Sequence, residues 1–274
     1  MKCDSQFSDE NLYPSICSGR IWLIGGTQES AHLASAIANT NLPCTISVTT
    51  ESARKLYPPA PNLQVWVGRF NLSQLEEFFG TQIIAILDAS HPFAVEISQS
   101  AIALSQKLQI PYLRYERPNL DQGKLGERLD FETLLSGNYL HGQRVLLTVG
   151  YRPLHLFQPW QERATLFARI LPSAIALESA IASGFTPDRL ICLRPPICAD
   201  LEKALWQQWD ISLVVTKASG TPGGEDIKHV IANQLNIPLI VIARPAVDYP
   251  QQTSNLSQAL QFCRSAIGRY SFTY

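Results

Sequence analysis

Gly25-Gly26-Thr27 follows the apolar run Ile21–Ile24 and precedes a helical pattern that starts at Gln28. A strand that feeds two glycines and a capped helix can cradle phosphate. Glycine lets the backbone approach the anion, and the first helical amides add N–H donors and a partial positive charge. The spacing matches neither the G-x-G-x-x-G fingerprint nor the P-loop, and the alternative for these residues is a merely tight strand–helix turn. Thr49, Thr50 and Arg54, with Ser47 and Lys55 nearby, lie at the end of the next strand-like segment. Hydroxyls and cations there suit a 2′-phosphate, hence NADPH, although Glu51 acts against it and the stretch also reads as a solvated helix start. Gly68-Arg69 closes a third strand-like run, as a phosphate contact or as an ordinary turn.

Asp88, Ser90 and His91 follow the apolar run Ile83–Leu87. Ligands of open α/β sheets bind at this end of the strands. Asp88 can cap the next helix, Ser90 and His91 can face a cofactor, and a purely structural role for His91 stays open. Lys217, then Ser219 and Gly220, follow the buried-looking strand Ile211–Thr216. A lysine in such a place is costly unless it meets an anion. It reads as a carboxylate ligand or proton donor, or as a salt bridge to Asp210, Glu225 or Asp226. Arg117 and Arg244 end two similar strands and could bind anions or cap helices; Arg152 and Arg169 are further candidates. Neither Y-x-x-x-K nor G-x-S-x-G occurs, which argues against short-chain dehydrogenases and α/β-hydrolases.

These residues need elements to hold them, and the pattern supplies strands and helices in alternation. Strand-like runs at Arg20–Ile24, Cys44–Thr49, Val65–Val67, Ile83–Leu87 and Tyr112–Tyr115 alternate with helical periods at 28–38, 71–79 and 94–108. A second series follows, with strands at Val145–Val149, Phe167–Leu171, Leu190–Leu193, Ile211–Thr216 and Leu239–Ala243. Helical periods lie at 201–209, 227–235 and 257–267. Repeated β-α units predict parallel sheets covered by helices, Rossmann-like or flavodoxin-like. Ile110-Pro111 to Arg117-Pro118 reads I-P-Y-L-R-Y-E-R-P and Ile237-Pro238 to Arg244-Pro245 reads I-P-L-I-V-I-A-R-P, as if one βα unit occurred twice. The expected division is an extension at 1–19, an NADP-binding domain at 20–135 and a substrate-binding domain at 136–274.

Composition narrows the classes. The 274 residues are 46% hydrophobic and 16% charged, with a formal net charge of -1. That supports a substantial core and disfavours general nucleic-acid binding. Residues 141–274 hold twelve basic and nine acidic groups, a balance of +3 that suits an anionic ligand. No apolar run reaches the ~18–20 residues of a membrane span. The six cysteines show neither C-x-x-C nor zinc spacing, and residues 1–19 lack the apolar segment of a signal peptide. The expectation is a cytoplasmic protein with reduced thiols, no metal and no membrane or nucleic-acid partner.

In order along 20–245 run I-W-L-I-G-G-T-Q-E-S-A-H-L-A, V-G-R-F, D-A-S-H-P-F-A, I-P-Y-L-R-Y-E-R-P, V-V-T-K-A-S-G and I-P-L-I-V-I-A-R-P. This series resembles the precorrin-6A reductase family of cobalamin biosynthesis. The resemblance implies two α/β domains with a cleft between them, and NADPH-dependent reduction of one C=C bond in a polycarboxylate tetrapyrrole. It implies that Gly25, Gly26, Thr27, Gly68, Arg69, Ser90 and His91 line the NADPH site. Lys217, Ser219, Gly220, Arg117 and Arg244 would lie near the substrate, and the loop 218–225 would be mobile without ligand. Three places depart from the family pattern: Pro196-Ile197-Cys198, the long loop Ser219–Gly224, and the N-terminal extension. The alternatives are an NADP-dependent reductase of another anionic small molecule and a non-catalytic nucleotide-binding protein.

Overall fold

The computed structural model describes residues 19–70, 74–75, 83–118, 120 and 126–271. The helix expected over 71–79 and the extension before Gly19 therefore lie outside the described residues, apart from Gln74 and Leu75. The chain forms two compact units, and it enters each of them more than once.

The first unit takes residues up to Ser90, Ser98–Tyr115 and the chain from Tyr249 onward. It begins with β1 (Arg20–Ile24), α1 (Gln28–Ala38), β2 (Cys44–Val48), α2 (Glu51–Arg54), β3 (Leu63–Val67) and β4 (Ile83–Asp88), followed by α3 (Val95–Leu108) and β5 (Tyr112–Tyr115). The second unit takes His91–Ile97 and Glu116–Asp248. Its elements start with β6 (Gly126–Leu129), α4 (Phe131–Ser136) and β7 (Arg144–Thr148), then a 3-10 segment at Leu154–Trp160. They continue as β8 (Thr165–Ile170), α5 (Ala174–Ala182), β9 (Leu190–Cys192), α6 (Ala199–Gln208), β10 (Leu213–Lys217), α7 (Glu225–Leu235) and β11 (Leu239–Ile242). The chain then returns to the first unit with β12 (Gln252–Thr253) and α8 (Leu256–Ser271).

Both sheets are parallel and have the same plan: β12-β5-β4-β1-β2-β3 in one and β6-β11-β10-β7-β8-β9 in the other. β1 and β4 sit at the middle of the first sheet and are buried on both faces, as their unbroken apolar runs require. α1 buries Ala31, Leu33, Ala34 and Ile37 at helical spacing against one face. α8 adds Ala259, Cys263 and Ala266 at the same periodicity.

The boundaries differ from the sequence expectation of 135/136. β6 pairs with β11, so the second unit already includes residues 126–129. β12 pairs with β5 and α8 packs on the first core, so the last segment belongs to the first unit rather than to the second. Gly-Glu-Arg-Leu in β6 lacks an apolar run because it is a half-buried edge strand, which hid it from the hydrophobic pattern. α5 was equally silent: Ala-Ile-Ala-Leu-Glu-Ser-Ala-Ile-Ala is apolar around most of its circumference and shows no clear face.

Candidate functional site

The β1–α1 turn is built from a closed set of hydrogen bonds. The Gly25 N–H continues the ladder to the Ser47 carbonyl at 2.9 Å. A Cβ on Gly25 would stand 2.3 Å from the Tyr57 hydroxyl, so no other residue fits without a shift. The Gly26 N–H donates to that hydroxyl at 2.7 Å, and the Tyr57 and Ser30 hydroxyls lie 2.8 Å apart. Thr27 and Ser30 cap α1 reciprocally: the Ser30 N–H donates to the Thr27 hydroxyl at 3.1 Å and the Thr27 N–H to the Ser30 hydroxyl at 3.0 Å. The Thr27 hydroxyl donates to the Ala89 carbonyl at 2.8 Å and so ties the turn to β4. Burial pushes the Tyr57 phenol above its ordinary pKa, keeping it protonated. Gly26 is exposed at φ +98°, with nothing within 4 Å of where a Cβ would be. The surface of the turn is open, and its underside is filled by Tyr57.

Behind it lies a buried charged node. Asp88 is fully buried, and one of its carboxylate oxygens accepts from the Ser90 N–H and Arg114, both at 2.9 Å. The other accepts from Ser98 at 2.6 Å and Tyr112 at 2.7 Å. Arg114 also donates to the Ser90 hydroxyl at 2.9 Å and carbonyl at 3.0 Å, with its guanidinium 5.2 Å from the Tyr249 ring. Burial and the Asp88 carboxylate push the Tyr112 phenol well up. The Asp88 and Ser90 side chains are therefore engaged within the protein interior. They fix the β4–α3 turn for whatever stands in front of it. His91 is exposed, and its Nδ1 accepts from the Phe93 N–H at 3.2 Å.

The other first-unit residues divide in the same way. Thr49 and Thr50 are exposed beyond β2, and Thr50 caps α2 by accepting from the Ala53 N–H at 3.3 Å. Arg54 is exposed, donates to the Val65 carbonyl at 3.2 Å and lies 3.7 Å from Glu51. Ser47 is not part of this group, because its hydroxyl accepts from the Trp22 indole in the core at 2.9 Å. Gly68 at φ +155° lies under the Trp66 ring, which a Cβ would meet at 2.6 Å. That packing explains the glycine without a ligand. Arg69 beside it is exposed.

The second unit gathers a different set at the end of β10. Lys217 places Nζ 4.6 Å from the Phe93 ring centroid. Burial, then the positive charge of Arg152, lowers its pKa to about 8. None of the acids foreseen as its salt-bridge partner pairs with it, and no described carboxylate does. Gly220 and Gly224 both stand at φ +68° in the loop that follows. The Gly220 N–H donates to the buried Glu225 carboxylate at 2.6 Å, while the Lys228 ammonium donates to the Gly223 and Gly224 carbonyls, each at 3.0 Å. This loop, expected to be mobile, is thus tied from beneath at both ends. Ser219 is buried, and a Cβ on Gly223 would overlap its hydroxyl.

Arg117 and Arg244 both bond to backbone carbonyls of their own unit. Arg117 donates to the Ser219 carbonyl at 2.5 Å. Arg244 donates to the carbonyls of Ala218 at 2.8 Å and Arg117 at 2.7 Å, and pairs with Glu116 at 3.1 Å. Both arginines fasten chain 116–118 to the β10 loop. The sequence reading missed Tyr57 and Arg114, and it took Glu225 only as a partner for Lys217, whereas Glu225 accepts from the Gly220 N–H. Only Arg114 left a legible trace, as a charged residue inside an otherwise apolar strand.

The model of the family described as Precorrin-6x reductase CbiJ/CobK matches residues 20–264. The chain belongs to the precorrin-6x reductase family. It is 49% identical over 249 residues to the cobalt-precorrin-6A reductase of Synechocystis, covering 89% of this chain and 95% of that protein. It is 30% identical over 244 residues to the precorrin-6A reductase of Rhodococcus erythropolis, covering 85% and 92%. The solved structure of CobK precorrin-6A reductase shares the fold, with a TM-score of 0.75 at 22% identity over 90% of this chain and 97% of that one. Precorrin-6x reductases are oxidoreductases of cobalamin biosynthesis that reduce precorrin-6A, and reduction of this type implies a nicotinamide cofactor. Space over Gly26 can accommodate a dinucleotide phosphate at the start of α1, although the Gly25, Gly26 and Thr27 N–H groups themselves donate to Ser47, Tyr57 and Ser30 and so hold the turn rather than the anion. Among the described residues, no helix is long and apolar enough to cross a membrane.

Proposed function

We propose that this chain binds NADPH on the first unit, at the C-terminal edge of its sheet, and uses it to reduce one C=C bond of a precorrin-6A. Family membership over residues 20–264 carries this reading. The 49% identity to a cobalt-precorrin-6A reductase favours the cobalt form of the macrocycle over the metal-free one. The turn at Gly25, Gly26 and Thr27 would seat the diphosphate at the start of α1, and the exposed Thr49, Thr50 and Arg54 beyond β2 would meet the 2′-phosphate. Arg69, exposed on the first unit, remains a candidate for the cofactor face, while His91, also exposed, falls in the second unit. A cytoplasmic setting suits the free thiols of Cys44, Cys192, Cys198 and Cys263.

When bound, NADPH supplies a hydride to one carbon of the double bond, and a proton added to the neighbouring carbon completes the reduction. The chain's own task is to orient and to move that proton. The rigid β1–α1 turn fixes the diphosphate and thereby the far end of the dinucleotide. Lys217, with a pKa of about 8, carries a proton at neutral pH and can release it to the substrate. The residues around Ser219 and Gly220 would seat the tetrapyrrole, on a loop already ordered by Glu225 and Lys228. Anaerobic incubation with NADPH and cobalt-precorrin-6A tests the reading. The nicotinamide absorbance should fall in step with loss of the substrate spectrum, and faster than with NADH. A decay no faster than the protein-free blank would refute it.

A further inference from the structure

The two sheets can be aligned residue by residue. In the first, Ile24 pairs with Asp88 and Asp88 with Arg114. In the second, Thr148 pairs with Thr216 and Thr216 with Val241. Arg114 and Val241 hold the same place in the two I-P…R-P segments. This alignment sets Gly26 on Gly150, each two residues beyond the paired end of its central strand. The backbone agrees: Gly150 has φ +77° against +98° for Gly26, is exposed, and has nothing within 4 Å of a Cβ position. The second unit therefore keeps an open strand-end turn in the place where the first offers its phosphate cradle.

The flanking chemistry differs. The first turn leads into α1, whose capping Thr27 ties it to Ala89. The second leads into Tyr151-Arg152-Pro153 and a 3-10 segment whose start has no side-chain cap. The residue aligned with Ala89 is Lys217. The cations Arg152 and Lys217 are close enough for one to disfavour charge on the other, and neither pairs with a described carboxylate. Two unneutralised cations beside an open glycine turn have a shared use in holding an anion.

We propose that the Gly150 turn, with Arg152 as its principal ligand and Lys217 beside it, binds a carboxylate side chain of the tetrapyrrole. The inference rests on the reading of the chain as a precorrin-6A reductase and adds to it a specific anchor. A carboxylate held at Arg152 offsets the charge that opposes protonation of Lys217, so the seated substrate favours the protonated amine. A guanidinium can grip the carboxylate through two parallel hydrogen bonds, which an ammonium does not match.

The test compares the full-length chain with Arg152→Ala and Arg152→Lys, using cobalt-precorrin-6A and NADPH as probes. Arg152 is exposed, so both variants should fold like the parent. Arg152→Ala should weaken tetrapyrrole binding to the NADP⁺-loaded chain about tenfold, the loss expected for one charge-assisted contact. NADPH affinity should stay within about twofold, and Arg152→Lys should recover part of the loss. Unchanged tetrapyrrole affinity in Arg152→Ala would overturn the proposal, and so would a parallel loss of NADPH affinity. If the unaltered chain reduces the tetrapyrrole and the variant matches it, only the anchor fails. If the unaltered chain does not reduce it, the reading as a reductase fails first.

Discussion

The two units share one strand order and part company at the C-terminal edges of their sheets. In the first, the edge is rigid and internally neutralised: Asp88 is matched by Arg114, and the glycine turn is braced by Tyr57 and Ser30. In the second, the equivalent positions of the ion pair are Thr216 and Val241, and positive charge moves forward to Lys217 and Arg152. A βα scaffold fixes where a ligand can sit, while the residues just past each strand decide its chemistry. One edge presents an open glycine turn over a closed set of hydrogen bonds, and the other presents side-chain positive charge.

The largest test of that contrast is at the buried pair. Asp88→Ala leaves the Arg114 guanidinium buried without its carboxylate and should cost about 3–5 kcal/mol in denaturant unfolding. Thr216→Val, at the matching place in the second sheet, should cost about 1 kcal/mol or less. Equal losses would erase the distinction between a neutralised edge and an unneutralised one. Next in size, Glu225→Ala strips the acceptor from the Gly220 N–H and should destabilise by about 2 kcal/mol. It should also raise the KM for the tetrapyrrole while leaving NADPH affinity alone; a loss of NADPH affinity instead would assign the loop to the wrong ligand.

Tyr57→Phe removes the acceptor of the Gly26 N–H and should weaken NADPH about fivefold, close to 1 kcal/mol, with little change in tetrapyrrole KM. Such a split is not expected of a residue that only packs the core. Lys217 gives a subtler readout. An amine that titrates near 8 stays protonated and unreactive below that pH and becomes nucleophilic above it, so acylation of Lys217 should show a midpoint of about 8. Arg152→Ala should move the midpoint upward by removing a neighbouring positive charge, and an unmoved midpoint would separate the two cations. The smallest effect belongs to Arg54→Ala, which should narrow the preference for NADPH over NADH by a few-fold, about 1 kcal/mol, as befits an exposed group. No narrowing would remove Arg54 from the 2′-phosphate site.

Much of the fold could be read in the sequence because the central strands are buried on both faces and stand out as apolar runs between helical periods. The chain crossings could not. β6 is a polar edge strand, and the return of β12 and α8 to the first sheet depends on pairing across more than a hundred residues, which no local pattern records. For the site, glycine positions were the most legible, since Gly25 and Gly26 are explained by Tyr57 and by the open turn. Charged residues were the least. Asp88, Arg117 and Arg244 are typical ligand-binding types, yet each is engaged by its own chain. Residue type alone does not tell a charge aimed at a ligand from one aimed at a backbone carbonyl.

Transfer of label from the nicotinamide tests the proposed hydride delivery itself. With NADPH deuterated on the reactive face of the nicotinamide, the tetrapyrrole product formed anaerobically should gain one deuterium on carbon, and in Lys217→Ala it should gain that deuterium more slowly. A tetrapyrrole that returns unreduced, or reduced with hydrogen drawn only from solvent, would contradict the account.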